Sequence, residues 1–365
     1  MEYYFDDLLS LIIYIIIYVI SAGLLLLRKK ICWGTKKIQW VVIVIAIVIP
    51  VLFAAFRYNV GTDYRTYAAM MNSYKSISLT DYLKNADFIG GTPIGIVLLC
   101  NISQGNRLVF FGLLALLAYA PIMVFLYYNH GEFSCETLAL TIFVYLTGTF
   151  STSLNIAKQG IAIGFVALSL WFVRERKPIR FLLCIFAAFL FHQTALVFIP
   201  VYFIWSYKNQ ISTIRKWMVI IACVLVIFLL DYILQFLGSD WANYAGSTNG
   251  TMNLSMLIYI FWSVVYLFFS KDLIKLNSIN ELYILLYIVG AMFQVIGFWS
   301  IYGKRISLYF VITGIWLSSQ LPLCERLKKN KSFVTFLLII YNIALFALTR
   351  YILKQGGIIP YGIML

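Results

Sequence analysis

Charge is scarce in this sequence. Asp, Glu, Lys and Arg make up only 12% of its 365 residues, against 62% hydrophobic residues. That balance is foreign to water-soluble domains and excludes an ordinary globular pair of them. Histidine is rarer still, with His130 and His192 the only two. The six cysteines, Cys32, Cys100, Cys135, Cys184, Cys223 and Cys324, contain no Cys-x-x-Cys pair. No zinc or iron-sulfur framework is written in such spacings, so no metal and no structural disulfide are expected. Also missing are a G-x-x-x-x-G-K-[ST] phosphate loop, a dinucleotide fingerprint and a D-x-D pair. Chemistry driven by cytoplasmic ATP or by a metal-bound nucleotide sugar is therefore unsupported, and no cofactor is expected.

What the chain has instead is apolar runs of about twenty residues, each long enough to cross a hydrocarbon core of roughly 30 Å. Backbone polar groups inside a bilayer must be satisfied within the segment, so the expected fold is all-α, a polytopic transmembrane helical bundle. The net charge of +14 does not form one nucleic-acid-binding face. Its basic residues fall in short clusters at 28–37, 174–180, 208–216, 271–275 and 326–331, which the positive-inside rule assigns to the cytoplasmic side. Spans at 8–27, 38–56, 107–128, 135–150, 158–173, 217–237, 253–270, 280–300, 306–323 and 333–350 satisfy that rule. They amount to about 10 full helices plus a short-helix hairpin, up to 12 in all. Glu2, Asp6 and Asp7 precede the first run and Arg28-Lys29-Lys30 follow it, the reverse of a secretory signal. Both termini are accordingly expected on the outer, periplasmic side.

Two stretches break the pattern. Pro93 to Ser103 is too short to span, and counting it as a crossing would invert every later basic cluster. Residues 57–106 are therefore expected wholly on the outer side, with 93–103 interfacial or re-entrant. Phe181 to Trp205 is interrupted by Phe191-His192-Gln193-Thr194 and by Pro200, and parity favours two short helices with His192 near their turn. A single kinked crossing is the alternative. No internal repeat, linker or low-complexity tail appears, so 1–365 reads as a single integral-membrane domain with an outer loop region at 57–106 containing short helices and a second outer loop at 238–252. Long loops of this kind carry function when they are ordered.

Four polar islands could carry chemistry. In the first, Arg57-Tyr58-Asn59-Val60-Gly61-Thr62-Asp63-Tyr64-Arg65-Thr66-Tyr67, the arginines can fork onto a diphosphate and Asp63 can bind a hydroxyl or take its proton. An arginine anchored to lipid headgroups and an aspartate capping the next helix would produce the same residues. The second island is Asn155, Lys158 and Gln159 at the start of the span 158–173. Ionisable residues at such depth mark functional sites unless, as Lys158 could, they snorkel to the interface. The third is His192, whose neutral imidazole suits a general base, although a lone bundle histidine can equally be a packing residue. His130, in a short cytoplasmic loop, is assigned no chemistry. The fourth is Tyr302, Gly303, Lys304, Arg305 and Tyr309, two cations on the side opposite the positive-inside clusters. They could bind an anion or pair with Asp63, Asp87 or Asp240. Under one topology Arg57, Arg65, Lys158 and Arg305 all face outward, which favours a shared anionic site.

These islands resemble the EpsG family of Wzy-type bacterial polysaccharide polymerases. The resemblance covers most of the chain and rests on Arg57 with Val60-Gly61-Thr62-Asp63-Tyr64 and Tyr67, on Asn155-Ile156-Ala157-Lys158-Gln159-Gly160-Ile161-Ala162, on Phe191-His192-Gln193-Thr194-Ala195-Leu196, and on Arg305 with Tyr309-Phe310. Lys158 is a departure, since the family usually has arginine there, and a lysine contacts phosphate as a point charge without the bidentate fork.

The resemblance implies a glycosyltransferase of the bacterial plasma (inner) membrane, in capsule, exopolysaccharide or O-antigen (lipopolysaccharide) biosynthesis. Such an enzyme moves a growing glycan from undecaprenyl diphosphate to the non-reducing end of a lipid-linked repeat unit on the outer side. Its partners would be that lipid-linked oligosaccharide and polysaccharide, membrane lipid, a chain-length regulator and a flippase, with no nucleic acid. Arg305 with Arg57 or Arg65 would neutralise the departing diphosphate, with Lys158, Lys304 and Gln159 nearby. His192, or Asp63 if His192 lies deep, would be the base. Tyr64 and Tyr67, with Tyr58, Trp241 and Tyr244, would meet sugar faces. A flippase for the same lipid-linked glycan and a ligase using another acceptor are the alternatives.

Overall fold

The structure is a computed structural model that describes residues 2–31, 36–85, 91–128, 134–205, 211–214, 217–218, 221–222, 254–297 and 301–364. Cys32, Cys223, His130, Asp87, Asp240, Trp241, Tyr244, the loop 238–252 and most of the expected span 217–237 lie outside these residues. Nearly all the described chain is helical. Four helices are long and apolar enough to cross a membrane, Asp7–Leu26, Arg107–Tyr128, Ala157–Arg174 and Lys328–Ile352, or up to six if two bent helix pairs are each one span. The chain is an all-α membrane protein.

Contacts divide it into two compact units. The first comprises Met1–Leu168, Phe186–Gln193 and Thr335–Leu365, and the second Ser169–Ile185 and Thr194–Val334.

In the first unit the strand β1 (Glu2–Tyr4) leads into α1 (Asp7–Ile31) and α2 (Lys36–Phe56). Beyond α2 the loop region expected to contain short helices carries three of them, α3 (Tyr64–Tyr74), α4 (Leu79–Asn85) and α5 (Ile94–Ser103). The ten residues of α5 are too few to span, as the sequence indicated. Then come α6 (Arg107–Tyr128) and α7 (Cys135–Tyr145), the latter capped by Ser134, whose hydroxyl accepts from the Thr137 amide at 3.2 Å. A π-wound turn, Leu146–Phe150, and a short α8 (Ser151–Ser153) prolong α7. The chain then breaks and restarts as α9 (Ala157–Arg174). Gly160 permits that break, because a Cβ there would collide with Ser153.

After α10 (Pro178–Phe189) the backbone turns at His192 into a 3-10 helix, Gln193–Phe198, and a single turn, α11 (Val201–Ile204). The polar triplet thus interrupts the apolar stretch where expected.

The second unit holds α12 (Leu254–Phe268), α13 (Ser270–Leu276), α14 (Asn280–Ile296), α15 (Ile301–Val311) and α16 (Gly314–Gln320). The first pair is bent by 69° and the last pair by 42°. Close packing of α14 on α15 needs Gly290, where a Cβ would stand 2.6 Å from Val311, and the Ser307 hydroxyl donates to its carbonyl at 2.7 Å. Arg326 pairs with Asp272 at 2.7 Å and Lys275 with Glu325 at 2.8 Å, which draws the basic clusters 271–275 and 326–331 to one end. The expected span 306–323 begins earlier, at Ile301. Lys304 and Arg305 therefore stand inside α15 rather than in the turn before it.

The last long helix, α17 (Lys331–Phe346), unwinds into a second π-wound turn, Ala347–Ile352. Beyond it lies β2 (Gly362–Met364), antiparallel to β1 with Tyr3 opposite Ile363. This small ribbon is absent from the sequence-based expectation.

Candidate functional site

Three of the four polar islands converge in the first unit. Their apolar members share one buried cluster that includes Tyr64, Tyr67, Ile96, Cys100, Phe111, Ala157, Ile161 and Phe191. Hydrophobic packing of the short helices α3 and α5 on α6 and α9 therefore fixes where the polar members stand.

Arg57, the first residue beyond α2, is 2% exposed. Its Nη1 donates to the Leu154 carbonyl at 2.7 Å, and its guanidinium lies 5.0 Å above the Phe111 ring. Phe111 in turn stacks on Tyr64 at 4.4 Å. Burial pulls the Arg57 pKa below the usual arginine value, yet arginine stays protonated at neutral pH. Among the described residues no carboxylate forms an ion pair with it. The cation is thus spent on a carbonyl and a ring at the base of the turn that follows.

That turn needs Gly61, whose φ of +98° is strained for any side chain and whose missing Cβ leaves room for the Leu154 carbonyl. Asn155 closes it, because its Oδ1 accepts from the Thr62 hydroxyl at 2.8 Å and from the Asp63 amide at 2.9 Å. Asp63 starts α3 without capping it, so its carboxylate is not spent on the helix N-terminus. One turn further, the buried Tyr67 hydroxyl accepts from the Lys158 amide at 3.1 Å. Burial pushes the Tyr67 phenol up to about 12, and that amide bond partly opposes the shift. Lys158 is half-buried at the start of α9, with Gln159 buried behind it. Arg65 is exposed and donates from Nε to Asn59 Oδ1 at 3.1 Å.

His192 is half-buried at the turn after α10. The turn is docked on α5: the Gly95 amide donates to the Leu190 carbonyl at 2.8 Å, and a Cβ at Gly95 would meet the Phe191 ring at 2.7 Å. Lys304 and Arg305 belong to the second unit. There Lys304 lies against Gly297, Arg305 is exposed, and the nearby Tyr309 hydroxyl meets the Thr194 hydroxyl at 3.1 Å.

Two contributors lie outside the four polar islands. Arg107, at the start of α6, places its guanidinium 4.6 Å over the Tyr58 ring. The second is the C-terminal segment, whose Gly357 and Gly356 carbonyls accept from the Gly61 and Thr62 amides at 2.8 and 3.0 Å, while the Gly362 carbonyl accepts from Tyr58 at 2.7 Å. Arg350, buried at the end of an apolar helix, was the available signal, since an ionisable group there marks a site by default. Among the described residues no group of three or more His, Cys, Asp or Glu side chains could hold a metal ion.

No curated protein and no solved structure matches this chain. A model of the EpsG family matches residues 40–363, a range that holds all four polar islands and most of the C-terminal segment. The chain belongs to the EpsG family, a Wzy-like family of polysaccharide polymerases.

Proposed function

We propose that this protein is a membrane glycosyltransferase that polymerises glycan repeat units carried on undecaprenyl diphosphate, working on the outer face of the bacterial plasma membrane. The observation that carries the reading is the turn Gly61–Asp63, fixed by Asn155 and crowned by a carboxylate that caps no helix, with the cation Arg65 two residues on. Family membership supplies the reaction class. The site's chemistry suits a donor whose leaving group is already attached.

In this scheme an acceptor sugar hydroxyl of the incoming lipid-linked unit attacks the anomeric carbon of the growing glycan. A new glycosidic C–O bond forms as the C–O bond to the diphosphate breaks. The diphosphate leaves on its lipid with the bonding electron pair, and the hydroxyl proton passes to Asp63. A positioned carboxylate can take the proton of an attacking hydroxyl, as the general base of a carboxylate pair does in glycoside chemistry. Exposed Arg65 and half-buried Lys158 would offset the charge developing on the diphosphate. Arg57, being buried, would hold the turn. Tyr64 and Tyr67, buried too, would hold α3, so of these tyrosines only the half-buried Tyr58 is left to meet a sugar.

His192 stands as a second base, favoured by its place at the turn docked on α5. Separate Asp63→Asn and His192→Gln variants, assayed for polymer length at matched protein levels, discriminate the two. Loss of polymer in the first alone supports Asp63, loss in the second alone supports His192, and normal polymer in both refutes the scheme. Passage of the lipid-linked unit across the bilayer without polymer would instead indicate the flippase.

A further inference from the structure

The first unit contains two π-wound turns, and one arginine links them. Arg350 lies within Ala347–Ile352 and donates through Nη2 to the Thr152 hydroxyl at 2.5 Å, which itself donates to the Gly148 carbonyl at 3.0 Å inside Leu146–Phe150. π-Turns inside α-helices are frequent at functional sites, because they re-aim a side chain at the cost of regular hydrogen bonding. From Thr152 the chain turns at once to Asn155, whose amide donates to the Thr152 carbonyl at 3.1 Å. Asn155 is the residue that holds Thr62 and Asp63.

The other half of the guanidinium reaches the same turn by a second route. Arg350 Nη1 donates to the Gln355 carbonyl at 3.0 Å. Gln355 opens a tight bend in which Lys354, Gly356 and Gly357 all have positive φ, at 50°, 77° and 61°. The φ of +77° at Gly356 is strained for any side chain, and a Cβ there would stand a tight 3.3 Å from Arg350 Nη1 and in ordinary contact, 3.5 Å, with Asn155. The bend presents the Gly356 and Gly357 carbonyls to the Thr62 and Gly61 amides. Tyr361 anchors the segment beyond, stacked on Phe53 at 4.2 Å with its amide donating to the Ser10 hydroxyl at 2.8 Å.

We propose that Arg350 is a positioning residue for polymerisation, which through Thr152–Asn155 on one side and the Gln355–Gly357 bend on the other sets the backbone turn that aims Asp63. A buried charge at the end of a spanning helix is costly. The planar fork offsets that cost by fixing two segments of chain at once, a task a single-point lysine cannot complete. The inference rests on the reading of Asp63 as the reacting carboxylate, and it assigns the C-terminal segment a direct part in building the site.

The test compares Arg350→Ala and Arg350→Lys with wild type in nanodiscs. It follows amide hydrogen exchange of a peptide covering 58–66 by mass spectrometry, and turnover on the undecaprenyl-diphosphate-linked repeat unit. Arg350→Ala is expected to speed exchange of the Gly61–Asp63 amides by roughly tenfold or more while a peptide from the middle of α6 keeps its wild-type rate. Turnover should fall by a similar factor with KM little changed, and Arg350→Lys should recover part of both. Wild-type exchange at Gly61–Asp63 in a folded Arg350→Ala protein, or equal acceleration everywhere, overturns the proposal. If Arg350→Ala does not fold, Gly356→Ala takes its place, with accelerated exchange confined to 61–63 supporting the proposal and unchanged exchange there overturning it. Should Asp63→Asn keep full turnover, the reading of Asp63 fails, and the exchange measurement still decides whether Arg350 sets the turn.

Discussion

One oxygen of Asn155 accepts the Asp63 amide at 2.9 Å and, beside it, the Thr62 hydroxyl at 2.8 Å. Asn155 and Asp63 lie 92 residues apart in the chain, so the residues just before α9 directly fix the first turn of α3. Asn155→Leu removes the acceptor and leaves both donors without it. Polymerisation is expected to fall by about tenfold or more, with stability lowered by about 1–2 kcal/mol. Ladder length and thermal unfolding in detergent check this together, and an unchanged ladder at lower stability would reduce Asn155 to a packing role.

Arg57 is expected to matter first for stability. Arg57→Ala strips a charged donor from the Leu154 carbonyl and a cation from the face of Phe111, for a loss of about 2–4 kcal/mol. Arg57→Lys should lose part of that and retain part of the activity. A thermally unaltered Arg57→Ala protein that no longer polymerises would instead make Arg57 a substrate ligand.

Gly95→Ala tests the docking of the His192 turn. The added methyl would press on the Phe191 ring and on the Leu190 carbonyl, which stands 2.9 Å away. Overpacking of this kind costs about 1–3 kcal/mol and displaces the more mobile partner. Shorter polymer is expected if the turn must stay in place, and wild-type ladders would show that it need not.

Tyr67 supplies a pH test outside the spanning helices. Its folded phenol titrates at about 12, above the value of about 10 for an unfolded tyrosine. The folded state keeps the proton longer, so the contribution is fully present below pH of about 10 and is lost as pH rises toward about 12. The Tm gap between wild type and Tyr67→Phe should therefore narrow across that window. A constant gap would mean that Tyr67 is not held as described.

The fold was legible in the sequence mainly through local features. Span length and apolar composition outline α6 and α9 almost to the residue, and the shortness of Pro93 to Ser103 separates α5 from the spans. The His192 break and the Gly61 turn are also legible, because polar residues or a glycine inside an apolar run end or bend its helix. Lys304 and Arg305 read as a turn because charge commonly ends an apolar run, whereas α15 begins before them. What composition does not show is the long-range pairing: β1 with β2, Gly356 with Thr62, and Arg350 with Thr152 join positions far apart in the chain. Each depends on a few hydrogen bonds or a missing Cβ rather than on a periodic pattern, and such contacts leave no local trace. The candidate site is therefore half visible, its α3 and α9 parts in the sequence and its C-terminal part signalled there by Arg350 alone.

The most direct measurement is reconstitution of the purified protein with its undecaprenyl-diphosphate-linked repeat unit, without nucleotide sugar. The account predicts a polymer ladder for wild type and none for Asp63→Asn at equal folded protein. A full ladder from Asp63→Asn, or transfer of the lipid-linked unit across the bilayer with no ladder from wild type, would contradict it.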